Sequence, residues 1–249
     1  MPKENIVISL GGSVVAPGEI DPVRNSPPTG PSGAQNAGGV SNGVDTVFLK
    51  SFKKMITKYL DKYRFFIFVG GGKIAREYQK SLENFGADIK ERDLAGIQVS
   101  WLNAEVVKHL FGELAFAKIV TNPSKKISTR KDIVIAGGWK PGFSTDYCAV
   151  TLAKNMGIKK IINITNIDYV YDKDPRKSLD AKPLKEITWK EFRKLVGTKW
   201  VPGLSMPFDP RASREAEMLK IKVAVIHGNN VSSVENFLQN KPFIGTTIL

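Results

Sequence analysis

The stretch Ala136-Gly-Gly-Trp-Lys-Pro-Gly-Phe-Ser-Thr-Asp146 follows a short apolar run and leads into a second apolar segment. Its glycines allow the backbone to approach a ligand closely, and Lys140 adds a positive charge. Ser144, Thr145 and Asp146 are residue types that cap helices, and the free amides at a helix N-terminus attract anions. The stretch therefore predicts a strand, an anion-binding turn and a helix in succession, with an ordinary strand-to-helix loop as the alternative.

Apolar runs of the same character recur along the chain. They are Asn5 to Leu10, Phe65 to Val69, Asp132 to Ala136, Lys160 to Ile164 and Lys222 to Ile226. Their length and their content of Ile, Val and Phe predict strands that are buried on both faces of a parallel sheet. Between them, apolar residues keep a helical period in 47–59, 74–85 and 94–110. The alternation predicts an α/β fold, a three-layer αβα sandwich with a mainly parallel central sheet.

Length and composition favour a globular protein. The 249 residues, 42% of them hydrophobic, fit a single domain over 1–249. No apolar run approaches the ~20 residues of a membrane span and the N-terminus lacks a signal-peptide pattern, so we expect a cytoplasmic protein without a membrane partner. The single cysteine, Cys148, excludes an intramolecular disulfide and predicts a buried helix residue. Residues 17–44, rich in Pro, Gly, Ser and Asn, predict an exposed, flexible insertion, with an active-site lid as the alternative.

The formal net charge of +13 points to anionic partners. The lysines are scattered, however, and there is no long basic tract or RNA-binding aromatic signature. We therefore expect no nucleic-acid partner, and we assign most of the charge to solvated faces. The remaining positive charge would steer a small anionic ligand into a cleft.

Two more Gly-rich turns follow predicted strands, Gly11-Gly12-Ser13 and Gly70-Gly71-Gly72-Lys73. Ligands of open α/β sheets lie at the carboxyl ends of the strands, so the three turns should converge on one crevice. None of them matches the P-loop pattern or the dinucleotide fingerprint. The convergence predicts a site that holds several phosphates at once. A fourth segment, Thr165-Asn-Ile-Asp-Tyr-Val-Tyr-Asp-Lys-Asp-Pro175, directly follows the run that ends at Ile164.

With Asp93-Leu-Ala-Gly-Ile97 and Gly245-Thr-Thr-Ile248, these four segments carry a resemblance to the amino acid kinase family. The resemblance runs from Ile6 to Ile248, interrupted by 17–44, and its order and spacing are most similar to archaeal members that act on UMP. It implies the family's fold, with transfer of the γ-phosphoryl group of ATP to a small anionic acceptor, here UMP. It also implies a homo-oligomer, commonly a hexamer built from dimers.

The resemblance implies a role for individual residues of this sequence. The residues implied to hold UMP are Gly71, Asp93, Trp139, Lys140, Pro141, Gly142, Phe143, Ser144 and Thr145. The residues implied to hold ATP are Gly12, Ser13, Gly72, Arg76, Thr165, Asn166, Tyr171 and Asp174. Arg76 is also a candidate for the acceptor phosphate, and Asp93 for the ribose hydroxyls. The implied catalytic residues are Asp146, which orients cationic groups around the transferred phosphoryl, and the cations Arg214 and Lys73.

Several of these residues also have a purely structural interpretation. Asp93 could cap a helix before Leu94, and Asp146 could stabilise a helix N-terminus. Asp174-Pro175 could be a plain turn. Arg76 could be a surface helix residue, and Trp139 and Phe143 could serve only packing.

No protein metal site is predicted, because His109 and His227 have no second His or Cys at ligand spacing. Mg²⁺ should arrive with ATP, held largely by phosphate oxygens and water.

The chain departs from the family pattern at three positions. Ser9 stands where many members carry a first-strand lysine that stabilises charge on the transferring phosphate, so the cation must come from elsewhere. Lys73, Lys140 and Arg214 are the candidates, and Arg214 stands where relatives carry a lysine. Tyr169 replaces a usual Gly, and Trp101 replaces a frequent Arg, which leaves the adenine fit and the subunit contacts open.

Other functions remain open at the level of sequence. Within the family, the acceptor could be acetylglutamate, aspartate, carbamate or isopentenyl phosphate. Because Ser9 replaces a lysine, a nucleotide-binding regulator with weak or lost catalysis is a second alternative. Asp93 and the segment from Trp139 to Thr145 favour a nucleotide acceptor.

Overall fold

The computed structural model describes residues 3–17, 43–175, 177–199, 201–203 and 206–249. The predicted insertion at 17–44 therefore lies outside the described residues, apart from Pro17, Gly43 and Val44. The strands are β1 (Glu4–Leu10), β2 (Tyr63–Val69), β3 (Ile133–Ala136), β4 (Lys160–Thr165), β5 (Val170–Tyr171), β6 (Pro183–Leu184), β7 (Glu186–Ile187), β8 (Lys222–His227) and β9 (Thr246–Ile248). The helices are α1 (Gly12–Val15), α2 (Thr46–Lys58), α3 (Gly72–Asn84), α4 (Ile89–Phe111), α5 (Thr145–Met156), α6 (Trp189–Val196), α7 (Pro210–Met218) and α8 (Val231–Leu238), with a short 3₁₀ turn at Gly112–Leu114.

The central sheet has seven strands in the order β3-β2-β1-β4-β8-β9-β7. All neighbours are parallel except β8 and β9, which are antiparallel. The five predicted strands are thus confirmed, and so is the mainly parallel sheet. Chain order reverses between β1 and β4, which makes their carboxyl ends the switch point where ligands of such sheets bind.

Side chains alternate across the sheet and build an apolar layer on each face. On β1, Ile6, Ile8 and Leu10 join the layer under α2, α4 and α8, while Val7 joins the layer under α5, α6 and α7. On β2, the phenylalanines divide in the same way, because successive residues of a strand point to opposite faces. This double coverage confirms the three-layer sandwich and holds the ends of β1 and β2 in fixed positions.

The predicted helical segments are confirmed as α2, α3 and α4. The first turn of α4 lies earlier than expected, because Asp88 and Glu91 form a capping box there. The interpretation of Asp93 as a helix N-cap is therefore wrong. Ser144 caps α5 as predicted, accepting a hydrogen bond from the backbone N–H of Tyr147 at 3.1 Å.

The prediction for Cys148 is also confirmed, because its side chain is fully buried within α5. Strands β5 and β6 pair with each other in antiparallel fashion and form a separate two-stranded sheet. Among the residues that the structure describes, none of the helices is both long and apolar enough to cross a membrane.

Candidate functional site

A cavity of about 850 Å³ opens at the carboxyl ends of β1, β2, β3 and β4. The three Gly-rich turns line it together with the segment that follows β4, so their predicted convergence on one crevice is confirmed. The predicted site residues in its wall are Gly12, Ser13, Gly71, Gly72, Arg76, Asp93, Phe143, Ser144, Thr145, Asp146, Thr165, Asn166, Tyr171 and Asp174.

The turns after β1 and β2 approach each other at van der Waals distance. A Cβ atom added to Gly12 would lie 2.2 Å from the backbone N of Gly72, and one added to Gly72 would lie 2.4 Å from the carbonyl carbon of Gly12. Gly72 also has a φ of +70°, which side chains rarely adopt. Glycine is thus required at both positions, and both turns line the same cavity.

Asp146, in the first turn of α5, is held by two hydrogen bonds at the base of the cavity. Its Oδ1 accepts from the Ser9 hydroxyl at 2.6 Å, and its Oδ2 accepts from the backbone N–H of Asp209 at 3.1 Å. Burial raises the pKa of Asp146 to about 6; the Ser9 hydrogen bond opposes this shift and the charge of Asp209 adds to it. Ser9 therefore orients the carboxylate where a lysine would neutralise it.

Asp93 faces the cavity from α4 and is almost fully buried. Its Oδ2 accepts a hydrogen bond from the backbone N–H of Gly142 at 2.5 Å. Burial raises the pKa of Asp93, whereas this hydrogen bond and the charge of Arg211 act in the opposite direction. One carboxylate oxygen thus holds the turn after β3, which leaves the other available to the cavity.

Arg76 lies on α3, close to the Gly70-Gly72 turn. Within the described part of the chain, the cations that line the cavity are Arg76 and Lys173. Burial lowers the pKa of Arg76, but an arginine remains charged at neutral pH. Its forked guanidinium is suited to a phosphate that enters from solvent.

Six of the residues predicted for the site do not line this cavity: Lys73, Trp139, Lys140, Pro141, Gly142 and Arg214. Lys73 lies 3.9 Å from Glu77 on the same helix, and Arg214 is exposed on α7. Their implied roles in binding or catalysis remain predictions.

The aromatic residues of the stretch form a ladder beside the cavity. The rings of Trp139 and Phe143 are 5.1 Å apart, and those of Phe143 and Tyr147 are 5.0 Å apart. The Lys140 ammonium lies 4.2 Å from the Trp139 ring, and the Arg211 guanidinium lies 5.2 Å from the Phe143 ring. Such cation–π contacts stiffen the outer side of the turn. Phe143 alone among these aromatic residues also reaches the cavity wall.

Sequence reasoning missed several polar residues that shape the cavity. Ser100, Asn103 and Asp209 are buried, and the first two contact the Gly-rich turns. The sequence could have indicated Ser100 and Asn103, because both recur on the apolar face of a helix. Burial of a polar side chain is unfavourable unless its hydrogen bonds are satisfied. In the described residues, no three His, Cys, Asp or Glu side chains are grouped closely enough to hold a metal ion.

An open parallel sheet with glycine turns meeting at its switch point defines a class of α/β protein that binds phosphate-bearing ligands at the strand ends. Residues 4–227 match the sequence profile of the amino acid kinase family, and the chain belongs to that family.

Relatives of known identity cover nearly the whole chain. The uridylate kinase of Methanospirillum hungatei is 30% identical over 246 residues, which are 98% of this chain and 94% of the relative. The uridylate kinase of Pyrococcus abyssi is 31% identical over 246 residues, 98% of each chain. The crystal structure of the uridylate kinase from Archaeoglobus fulgidus matches with a TM-score of 0.76 and 28% identity, over 98% of this chain and 99% of that one.

Proposed function

We propose that this protein is a UMP kinase, which transfers the γ-phosphoryl group of ATP to UMP and yields UDP for pyrimidine nucleotide biosynthesis. The observation that carries the proposal is the meeting of three Gly-rich turns and Asp146 in one cavity, in a chain similar to uridylate kinases over 98% of its length. Phosphoryl transfer depends mainly on positioning and charge neutralisation, and backbone amides at such turns supply both. The relatives do not favour another acceptor within the family.

The geometry supports two adjacent binding regions. On the acceptor side, Asp93 presents its second carboxylate oxygen beside Gly71 and the 143–145 segment, which suits a ribose and its phosphate. On the donor side, Gly12, Gly72 and the Thr165–Asp174 segment surround the space for ATP. Asp146 lies between them, next to the place of transfer.

The transferred phosphoryl group needs a cation beside it, and the cavity wall indicates which one. Arg76 lines the cavity and is suited to a phosphate, whereas Lys73, Lys140 and Arg214 do not line it. Mg²⁺ would arrive with ATP and supply charge neutralisation, and the Asp146 carboxylate is of the oxygen type that a hydrated Mg²⁺ prefers. We therefore favour Arg76 as the cation that binds a phosphate in this cavity, with Asp146 on the side of the metal.

The decisive experiment is mass-spectrometric detection of UDP after the purified protein is mixed with ATP, Mg²⁺ and UMP. Parallel reactions would contain CMP, dUMP, isopentenyl phosphate, acetylglutamate or carbamate as acceptor. We expect UDP as the dominant product. A preference for another acceptor would overturn the assignment, and binding of ATP without any product would favour the regulatory alternative.

Location and assembly follow the same proposal. We expect a cytoplasmic homo-oligomer, a hexamer by analogy with the family. Large apolar side chains exposed on α3 and α4 and in the turn between them support self-association: Tyr78, Phe85, Ile89 and Leu102. Sedimentation equilibrium would test it, and a monomer at micromolar concentration would contradict it.

A further inference from the structure

Helix α4 carries buried polar residues on the face that it turns toward the cavity. Asp93, Ser100 and Asn103 have exposed fractions of 6%, 2% and 3%. Residues seven and ten positions apart lie on similar sides of a helix, so the three form one polar row. Each of them makes a hydrogen bond to a Gly-rich turn outside the helix. The row therefore connects one rigid element to two turns of the site.

Besides the bond from Gly142 to Asp93, helix α4 holds the start of the turn after β3 through Gly138. Its backbone N–H donates to Ser100 Oγ at 2.8 Å, and its carbonyl oxygen accepts from Trp101 Nε1 at 2.7 Å. The Trp101 ring also covers Gly137, where an added Cβ would lie 2.6 Å from Trp101 Cδ1. Two adjacent side chains of α4 thus fix both polar groups of Gly138 and its distance from the helix.

The turn after β2 is held by the same helix one turn further along. Asn103 Nδ2 donates to the carbonyl oxygens of Gly70 at 2.8 Å and of Gly71 at 3.3 Å. Gly70 and Gly72 are also in close contact with Gly12. The hydrogen bonds of Asn103 therefore restrain the turn after β1 indirectly. Helix α4 therefore sets the spacing among all three turns.

We propose that Ser100, Trp101 and Asn103 are positioning residues for phosphoryl transfer, an inference that rests on the proposed UMP kinase function. Ser100 and Trp101 place the turn that leads into the acceptor segment 139–145. Asn103 places the turn that lies between the two substrates. Backbone amides stabilise a developing charge only when they are held in position before the reaction. The first pair should therefore act on UMP binding, and Asn103 on the transfer step.

The first test uses the variants Ser100→Ala and Trp101→Phe. Trp101→Phe removes the N–H donor and keeps an aromatic ring over Gly137. Each variant leaves a buried backbone group of Gly138 without its partner, so we expect KM for UMP to rise about tenfold, with KM for ATP and kcat changing less than about threefold. An unchanged KM for UMP in both variants would overturn the role of this pair.

Matched controls separate positioning from a loss of stability. Ser233 is a buried helix serine whose Oγ accepts from the backbone N–H of Ile244 at 3.0 Å, and Trp189 Nε1 donates to the carbonyl of Ile221 at 2.9 Å. Ser233→Ala and Trp189→Phe thus remove the same kinds of hydrogen bond away from the cavity. They should lower the melting temperature by a similar amount and leave KM for UMP unchanged. A rise in KM equal to that of the α4 variants would show a general loss of stability and overturn the proposal.

The third residue is tested with Asn103→Ala. Here we expect kcat to fall about tenfold while KM for each substrate changes less than about threefold, because the turn between the substrates loses its support. A loss confined to KM would overturn the assignment of Asn103 to the transfer step.

A measurement that needs no substrate distinguishes failure of this inference from failure of the proposed function. Hydrogen–deuterium exchange should be faster at Gly137 and Gly138 in Ser100→Ala and Trp101→Phe than in the wild type, and unchanged there in the two controls. If the wild type forms no UDP, the proposed function fails, while the exchange result still decides whether α4 holds the turn. Unchanged exchange would overturn the positioning inference even in an active enzyme.

Discussion

At the scale of single residues, the contact between Ser9 and Asp146 is the most consequential one in the cavity. A lysine in the place of Ser9 would neutralise Asp146 and add a positive charge near the transferred phosphoryl group. Burial raises the pKa of Asp146 to about 6, and the hydrogen bond from the Ser9 hydroxyl opposes this shift only in part. The ionisation state of this carboxylate therefore changes within the physiological range of pH.

The variant Ser9→Ala tests this coupling through the pH dependence of turnover. Since the Ser9 hydroxyl stabilises the ionised carboxylate, its removal raises the pKa of Asp146 further above 6. In the wild type we expect kcat to decline as the pH falls through about 6, and in Ser9→Ala the same decline should occur at higher pH. Steady-state rates between pH 5 and pH 8.5 measure the midpoints. Identical midpoints would show that another group governs the acid limb.

The variant Asp146→Asn should be inactive and yet more stable than the wild type at neutral pH. The folded-state pKa of about 6 lies above the ordinary value of 3.8, so the folded protein binds this proton more tightly and loses stability as the pH rises between the two values. Removing the charge should add on the order of 3 kcal/mol to the free energy of unfolding at pH 7 and almost nothing near pH 3.5. Urea titrations at both values would show it. An equal or lower stability of the variant at pH 7 would contradict the burial of the charge.

At the scale of elements, the turns after β1 and β2 function as one unit because their backbones touch. Gly72→Ala and Gly86→Ala form a matched pair, since both glycines have left-handed φ angles, +70° and +80°. A Cβ atom added to Gly72 would collide with the backbone of Gly12. A Cβ atom added to Gly86 would have no other atom within 4 Å. Gly86→Ala should cost about 1 kcal/mol of stability and leave kcat/KM unchanged.

Gly72→Ala should add to this strain a displacement of the turn from Gly12, and kcat/KM for ATP should fall more than about tenfold. Urea unfolding and steady-state kinetics of the two variants separate the two effects. Equal kinetics in the pair would mean that contact between the turns is not required for the donor site.

Helix α7 presents two arginines to different surroundings. Arg211 packs against Phe143 and Tyr147 of the aromatic ladder, whereas Arg214 is exposed on the outer side of the helix. If Arg214 swings onto the ATP phosphates during transfer, Arg214→Ala lowers kcat more than it raises KM for UMP. Arg211→Ala should instead raise KM for UMP more than it lowers kcat, because it loosens the acceptor turn. Unchanged turnover in Arg214→Ala would remove this residue from the catalytic set.

At the scale of the whole molecule, the sequence predicted what local patterns encode. The five long parallel strands and the three glycine turns could be read because each is a continuous run with its own composition. β7 and β9 contain two or three residues, too few for a periodic pattern. The contacts of Ser100 and Trp101 with Gly138 join residues 37 and 38 positions apart, and only the packing of α4 against the sheet creates them. Likewise, the exposure of Arg214 depends on how α7 is rotated against its neighbours.

The charge distribution gives a last prediction about how substrate arrives. The molecule carries a formal net charge of +13, yet the described residues of its cavity wall include four carboxylates, Asp93, Asp146, Asp172 and Asp174, against two cations, Arg76 and Lys173. Attraction of anionic UMP must therefore come from the field of the whole molecule, which salt screens over a Debye length of about 10 Å at 0.1 M.

We expect kcat/KM for UMP to fall about threefold between ~50 and ~300 mM NaCl, with kcat nearly constant, because salt weakens encounter and not the bound state. Choline chloride at equal ionic strength should act in the same way, and sucrose at equal osmolality should have little effect. Melting temperatures at each salt concentration exclude unfolding as the cause. A constant or rising kcat/KM would mean that the local carboxylates dominate the approach, and that the excess of lysine serves the solvated surface alone.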